Sequence, residues 1–268
     1  MKPRLLAIDI DGTLLSSKGE LTDRTIQALK NAKKAGIFCI LATGRMSCSG
    51  LVFAKQLGFS APCVFYNGAV IMNPKTQEIY FKQEIEASLV ARVCDFFREN
   101  GWYLQKYVAD RLCVVDASDE RTQYYVSIAK VEPISMGERF WTEHKSSTKL
   151  LGCAKAGLED FSEMLEKTQA KFGKELYVAS SWKRFVELVN PGVNKAQAVA
   201  KVSEMLRLTR ENVISFGDST NDAEMLRWAG CGVAMGNASD TTKACADIVI
   251  DTNDNEGLAK YVEQLLKE

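Results

Sequence analysis

Histidine is all but missing: His144 is the single one in 268 residues. The eight cysteines, Cys39, Cys48, Cys63, Cys94, Cys113, Cys153, Cys231 and Cys245, contain no CxxC pair. Without thiolate pairs and with one imidazole, a structural zinc site lacks its ligands. Several cysteines sit in apolar runs such as Phe38-Cys39-Ile40-Leu41, so buried free thiols are expected. No sign of charge is in excess, because 34 Lys and Arg face 34 Asp and Glu. The basic surplus that marks nucleic-acid and membrane-surface binders is therefore absent. Long apolar runs are also lacking. Leu5-Leu6-Ala7-Ile8 is too short for a signal-peptide core, and nothing approaches the ~20 apolar residues of a membrane helix. These absences point to a cytoplasmic protein with neither a nucleic-acid nor a membrane partner. There is no internal repeat, low-complexity stretch or composition-marked linker.

What is present is the balance of a soluble globular chain, 46% apolar and 25% charged, with length for one large or two ordinary domains. Leu5 to Ile8 reads as a buried strand that stops at Asp9. A helix is predicted from an N-cap at Thr22 to Gly36, followed by a strand over 37–42 that ends at Thr43-Gly44-Arg45. A helix then runs to about Leu57, and a third strand begins at Pro62 and ends at Asn67-Gly68-Ala69. This alternation implies right-handed crossovers and a parallel sheet, with ligands bound beyond the carboxyl ends of the strands. From about Lys82 to Leu188 the pattern changes. A helix is predicted over 86–100 with Leu89, Val93, Phe96 and Phe97 on one face, then a hairpin around Ala109-Asp110, a helix over 158–172, and strands at 177–179 and 185–188. The doubly wound pattern resumes with helices at 195–206, 221–228 and 256–266 and strands at 213–216, 232–235 and 248–250. The expected fold is α/β: a doubly wound, Rossmann-like parallel sheet core (1–82 and 189–268) with an inserted α/β cap domain (83–188).

The chemistry concentrates at strand ends. In Asp9-Ile10-Asp11-Gly12-Thr13, two acids one residue apart follow a buried strand. Ionised, they repel, and a bound cation would relieve that. With two carboxyls present, one can act as nucleophile while the other handles protons. Taken alone, Asp11-Gly12 is an ordinary turn. The Thr43 hydroxyl and Gly44 amide suit a phosphate oxygen. Pro191-Gly192-Val193-Asn194-Lys195 puts a lysine at a helix start, where the partial charge is already positive; a bound dianion would compensate, although exposed lysines are common. In Gly217-Asp218-Ser219-Thr220-Asn221-Asp222, Asp218 is placed to join Asp9 and Asp11 around a hard cation such as Mg²⁺, while Ser219 and Asp222 also suit helix caps.

Together, Asp9-Ile10-Asp11-Gly12-Thr13, Thr43-Gly44-Arg45, Gly192-Val193-Asn194-Lys195 and Gly217-Asp218-Ser219-Thr220-Asn221-Asp222, with Glu224-Met225-Leu226 following, resemble the haloacid dehalogenase superfamily over the whole chain, in particular its Cof-type phosphatases with a type 2 (C2B-like) α/β cap. Asn67-Gly68-Ala69 and Met235-Gly236-Asn237-Ala238 fit as well. The long interval between Arg45 and Lys195 places the insertion after the second motif, as in the second cap class. Lys195-Ala196 departs from the family's frequent Lys-Gly.

The resemblance implies a Mg²⁺-dependent phosphatase that hydrolyses a small phosphomonoester, such as a sugar phosphate, through an aspartyl-phosphate. It assigns Asp9 as nucleophile and Asp11 as general acid and base. Metal contacts fall to Asp9, Asp11 and Asp218, and phosphate contacts to Ile10, Thr43, Gly44, Lys195 and Asn221. Asp222 orients Lys195 or a metal-bound water. Arg45, Asn67 and Gly68 are candidate substrate contacts, and Lys183, Arg184 and His144 are polar candidates in the cap. A phosphomutase of the phosphomannomutase type would use the same nucleophile but return the phosphate to a sugar, so stoichiometric phosphate release discriminates. A non-catalytic phospholigand sensor would be expected to have lost a nucleophile or a metal acid.

Overall fold

A computed structural model describes residues 3–154, 161–181 and 184–267. The chain divides into two compact units, Met1–Phe81 with Asn194–Glu268, and Lys82–Val193. The stretch 189–193, expected in the core, thus lies in the second unit.

In chain order the first unit opens with β1 (Leu5–Ile8), α1 (Asp23–Lys34), β2 (Phe38–Leu41), α2 (Ser47–Gln56), β3 (Cys63–Phe65), β4 (Val70–Met72) and β5 (Ile79–Lys82). The inserted unit carries α3 (Ala87–Glu99), β6 (Tyr103–Val108), β7 (Arg111–Val114), α4 (Glu120–Ala129), β8 (Pro133–Ser135), α5 (Arg139–Thr142), β9 (Leu150–Cys153), α6 (Phe161–Phe172), β10 (Tyr177–Ser181) and β11 (Phe185–Val189). The chain then adds α7 (Lys195–Met205), β12 (Val213–Gly217), α8 (Ala223–Trp228), β13 (Cys231–Ala234), α9 (Asp240–Lys243), β14 (Ile248–Val249) and α10 (Gly257–Leu265).

Among the described residues the first unit's main sheet has the order β14-β13-β12-β1-β2, parallel throughout. Both β1 and β12 are buried along their whole length, as expected of apolar runs covered on both faces. Thr22 caps α1 by accepting from the Thr25 amide. The third strand departs from expectation. β3 meets the parallel sheet only through the bridge Ala42–Val64. Its regular partner is β4, antiparallel, within the separate sheet β3-β4-β5, because the Tyr66–Gly68 turn folds the chain straight back.

In the second unit the sheet order is β10-β11-β9-β6-β7-β8, antiparallel except for the β7–β8 pair. The β6–β7 hairpin turns at Ala109 and Asp110, both with positive φ, which matches the right-handed twist of the strands. One face of the sheet packs Leu104, Leu150, Val186 and Leu188 with Val93, Phe97, Met164 and Phe172. Leu89 and Phe96, expected on the buried face of α3, are only partly buried, and Val90 and Cys94 take their place. The expected helix over 158–172 is described from Phe161; residues 158–160 lie outside the described residues, as do Trp182 and Lys183. None of the cysteines is in a disulfide, and six are buried; Cys48 is exposed and Cys231 half-buried. Burial pushes the Cys39 and Cys63 thiols up to about 12, where they are inert.

Phe97 is wholly buried and meets Trp102 edge-on, with ring centroids 5.7 Å apart. Phe97→Ala is expected to cost the second unit about 3–5 kcal/mol in urea unfolding; a loss below ~1 kcal/mol would contradict this packing.

Candidate active site

The site lies in the first unit, at the carboxyl ends of its strands. β1 delivers Asp9, whose amide donates to the Phe216 carbonyl at the end of β12 (3.1 Å). The chain then tightens: Leu14 N–H donates to the Asp9 carbonyl and Leu15 N–H to that of Ile10. Gly12 turns with φ +78°, and a Cβ there would lie 2.3 Å from an Asp218 carboxylate oxygen. Glycine is required at this position on both counts. The close approach brings Thr13 Oγ1 to donate to Asp218 Oδ1 at 3.0 Å.

Lys195 sits at the first position of α7, after the Asn194 N-cap, and its ammonium is buried. The sequence suggested a bound dianion as compensation for that placement, but two carboxylates supply it. Lys195 Nζ donates to Asp9 Oδ1 at 2.6 Å and to Asp222 Oδ1 at 2.7 Å. The second oxygen of Asp222 accepts from the amides of Asp218 (3.1 Å) and Ser219 (3.0 Å). Asp222 is thereby fixed by the turn it caps, and it in turn fixes the lysine. Burial disfavours the Lys195 charge, yet Asp222 and then Asp9 outweigh it and hold its pKa above the ordinary value. Burial pushes the Asp9 carboxyl well up; Lys195 opposes the shift, while Asp222, Asp11 and Asp218 add to it. Asp218 is pushed up to about 6, by burial first and the Asp222 charge second, against the Thr13 hydrogen bond.

Oxygens of Asp9, Asp218 and Asp222 lie within 4.8 Å of one another. The ligand set expected from sequence was Asp9, Asp11 and Asp218; Asp9 and Asp218 fall in this cluster with Asp222, while the Asp11 carboxylate lies outside it. The Asp11 carboxylate is turned to Arg45, which grips it from Nε (2.8 Å) and Nη2 (2.6 Å). Residues two apart in a strand would share a face; the two acids diverge because the chain leaves the strand after Asp9 and enters the tight Ile10–Leu14 turn. Arg45, expected against substrate, also spans Ser49 and lies over the Phe53 ring. Thr43 is buried, and its Oγ1 accepts from the Arg45 amide (3.1 Å), a bond that leaves the hydroxyl proton unused. Asn221 is exposed, and its Nδ2 donates to Asn67 Oδ1 at 3.0 Å. Among the expected cap candidates, Arg184 and His144 lie in the second unit.

Two asparagines went unassigned in the sequence reading. Asn237 Nδ2 donates to the Gly12 carbonyl at 2.9 Å, and its Oδ1 accepts from the Asn253 amide. Asn253 Nδ2 donates to the Leu15 carbonyl at 2.8 Å. They lash the turn that carries Asp9 and Asp11 to the C-terminal part of the unit. Asn237 lies in the Met235–Ala238 segment, already noted as family-like, and that was the only signal; the partners are more than 200 residues apart.

The family of haloacid dehalogenase-like hydrolases matches across residues 6–262. The chain is 31% identical over 261 residues to the 5-amino-6-(5-phospho-D-ribitylamino)uracil phosphatase YcsE of Bacillus subtilis (strain 168), covering 97% of this chain and 94% of the relative. It is 28% identical over 272 residues to the pyridoxal phosphate phosphatase YbhA of Escherichia coli (strain K12), covering 98% of each. The crystal structure of a haloacid dehalogenase-like hydrolase from Bacteroides thetaiotaomicron aligns with a TM-score of 0.91 at 29% identity, over 98% of this chain and 100% of that one. The chain belongs to the haloacid dehalogenase-like hydrolases and is an enzyme, a phosphatase of that family. No helix among the described residues is long and apolar enough to cross a membrane.

The raised Asp218 carboxyl has a consequence for stability. An acid whose folded pKa exceeds its unfolded value stabilises the fold fully below the unfolded value, and that contribution is lost as pH rises through the folded one. For Asp218 the window runs from ~4 to about 6. In EDTA, Asp218→Asn is expected to be more stable than wild type by about 1–2 kcal/mol at pH 8 and equal to it at pH 4 in urea unfolding. A variant less stable at pH 8 would contradict the assignment.

Proposed function

We propose that this enzyme is a Mg²⁺-dependent phosphatase of a small phosphomonoester, a sugar phosphate or similar metabolite, and that it works through an aspartyl-phosphate on Asp9. The observation that carries the reading is the Asp9–Lys195–Asp222 array beside Asp218. A buried carboxylate at a strand end is paired with a lysine, next to Asp218, which has no paired cation of its own among the described residues. The relatives named for ribitylaminouracil and pyridoxal phosphates support a small organic phosphomonoester as substrate.

The donors fit Mg²⁺, since Asp9 and Asp218 bring hard carboxylate oxygens within 4.8 Å of one another. Asp9 and Asp218 would hold it, with Asp11 contributing its backbone carbonyl. The Asp222 oxygens are committed to Lys195 and two amides, so this residue orients the lysine. When bound, the ion supplies charge neutralisation between the attacking carboxylate and the phosphate.

In the first step the free Asp9 oxygen attacks phosphorus in line, and the bond from phosphorus to the leaving oxygen breaks. Asp11 gives that oxygen its proton. In the second step Asp11 takes a proton from water, the water oxygen attacks phosphorus, and the bond to Asp9 breaks to release inorganic phosphate. Lys195, the Thr43 hydroxyl, the Gly44 and Ile10 amides and Asn221 bind the phosphoryl oxygens, so positioning and charge do most of the work. Arg45 donates to both Asp11 oxygens, the arrangement suited to accepting a proton in the second step; giving a proton in the first step requires Asp11 to release one of these bonds.

Phosphate release from a panel of phosphorylated metabolites is expected with Mg²⁺ and not with EDTA. Asp9→Asn is expected to reduce kcat by at least ~10³-fold, because a neutral amide is a very poor nucleophile. Metal-independent release, or near-wild-type turnover by Asp9→Asn, would defeat the reading.

A further inference from the structure

The Tyr66–Gly68 turn has a backbone no ordinary loop needs. Tyr66, Asn67 and Gly68 have φ of 52°, 55° and 112° in succession, a left-handed run that non-glycine residues disfavour. Tyr66 is buried nonetheless. The turn is held against three of the four motifs. Its amides at Tyr66 and Asn67 donate to the carbonyls of Arg45 and Thr43, each at 3.0 Å. A Cβ at Gly68 would lie 2.4 Å from the Asn194 carbonyl, so the turn sits directly on the backbone that starts α7 and presents Lys195. The Asn67 amide lies over Gly44, where a Cβ would come within 2.9 Å of Asn67 Oδ1.

The third link is to Asn221. Its Nδ2 donates to Asn67 Oδ1, while its Oδ1 accepts from Ser219 Oγ at 2.6 Å. Both ends of the Asn221 amide are thus specified, and one N–H of Nδ2 remains to face a ligand. We propose that Asn67 is a positioning residue. Held in a left-handed conformation by the turn, it orients the Asn221 amide toward the phosphoryl oxygens and does not itself contact substrate. This refines the expectation that Asn67 and Gly68 are substrate contacts, and it rests on the reading of Asn221 as a phosphate ligand.

The test uses full-length protein with Mg²⁺. It reads inorganic phosphate affinity by calorimetry and p-nitrophenyl phosphate hydrolysis in parallel. Asn67→Gly keeps the left-handed backbone and removes the amide, and unfolding curves check that it folds as wild type does. Asn67→Gly and Asn221→Ala are each expected to weaken phosphate about tenfold, the value of one hydrogen bond. The double variant is expected to be no weaker than Asn221→Ala alone. Multiplying losses, or wild-type affinity in Asn67→Gly, would overturn the proposal while leaving the phosphatase reading intact. Absence of Mg²⁺-dependent hydrolysis in the wild type would overturn both.

Discussion

The buried ammonium of Lys195 is the interaction on which the site depends. It is shared by Asp9 and Asp222, and none of the three has appreciable exposure. A buried charge of this kind is tolerable only when paired and hydrogen-bonded. Removing either partner would leave an uncompensated charge in a low-dielectric surrounding, so the array stands or falls as a unit. Asp222 is satisfied on its other side by two amides of its own turn, which makes it the fixed point. Lys195 is fixed against Asp222, and Asp9 against Lys195. What stays unbalanced is Asp218, together with the Asp9 carboxyl, raised by burial first and by the surrounding negative charge second. That imbalance is costly without a ligand and useful with a cation.

The fold supplies this arrangement with short connections. Parallel strands β1, β2 and β12 end at one edge of the sheet, so Asp9, Thr43 and Asp218 converge although up to about 200 residues separate them. The loops are then tied laterally. Asn237 and Asn253 hold the turn after β1, Arg45 holds Asp11, and the Tyr66–Gly68 turn touches the loops that bear Thr43, Lys195 and Asn221. A rigid scaffold with strapped loops is the form that charge stabilisation by preorganised groups demands. The inserted unit has its own sheet and its own apolar core.

Much of this was legible in the residues, for identifiable reasons. Runs such as Leu5–Ile8, and Val213–Gly217 but for Ser215, are apolar throughout, as a strand covered on both faces requires. Each acid at a strand end has an ordinary reading as a turn or cap residue; it was the four motifs in order that stood out. Other features left little trace. α4 buries only Thr122 and has no clear apolar stripe, so its periodicity is silent. β9 is four residues with Gly152 inside it, a weak strand signal. The departure of β3 into a second sheet is decided by the left-handed turn after it, which tyrosine and asparagine do not announce. The divergence of Asp11 toward Arg45 depends on where a side chain from the next loop arrives, and the asparagine ties span most of the chain. Spacing singled out the candidate residues; long-range packing decided which of them touch.

The most direct test of the account is rapid acid quench of the enzyme during turnover, followed by peptide mapping by mass. A single phosphoryl group on the peptide containing Asp9, present with substrate and Mg²⁺ and lost on chase with unlabelled substrate, is the predicted result. Phosphate released at a measurable rate with no phosphorylated peptide under conditions that trap acyl phosphates, or a phosphoryl group on a different residue, would contradict the claim that Asp9 is the nucleophile.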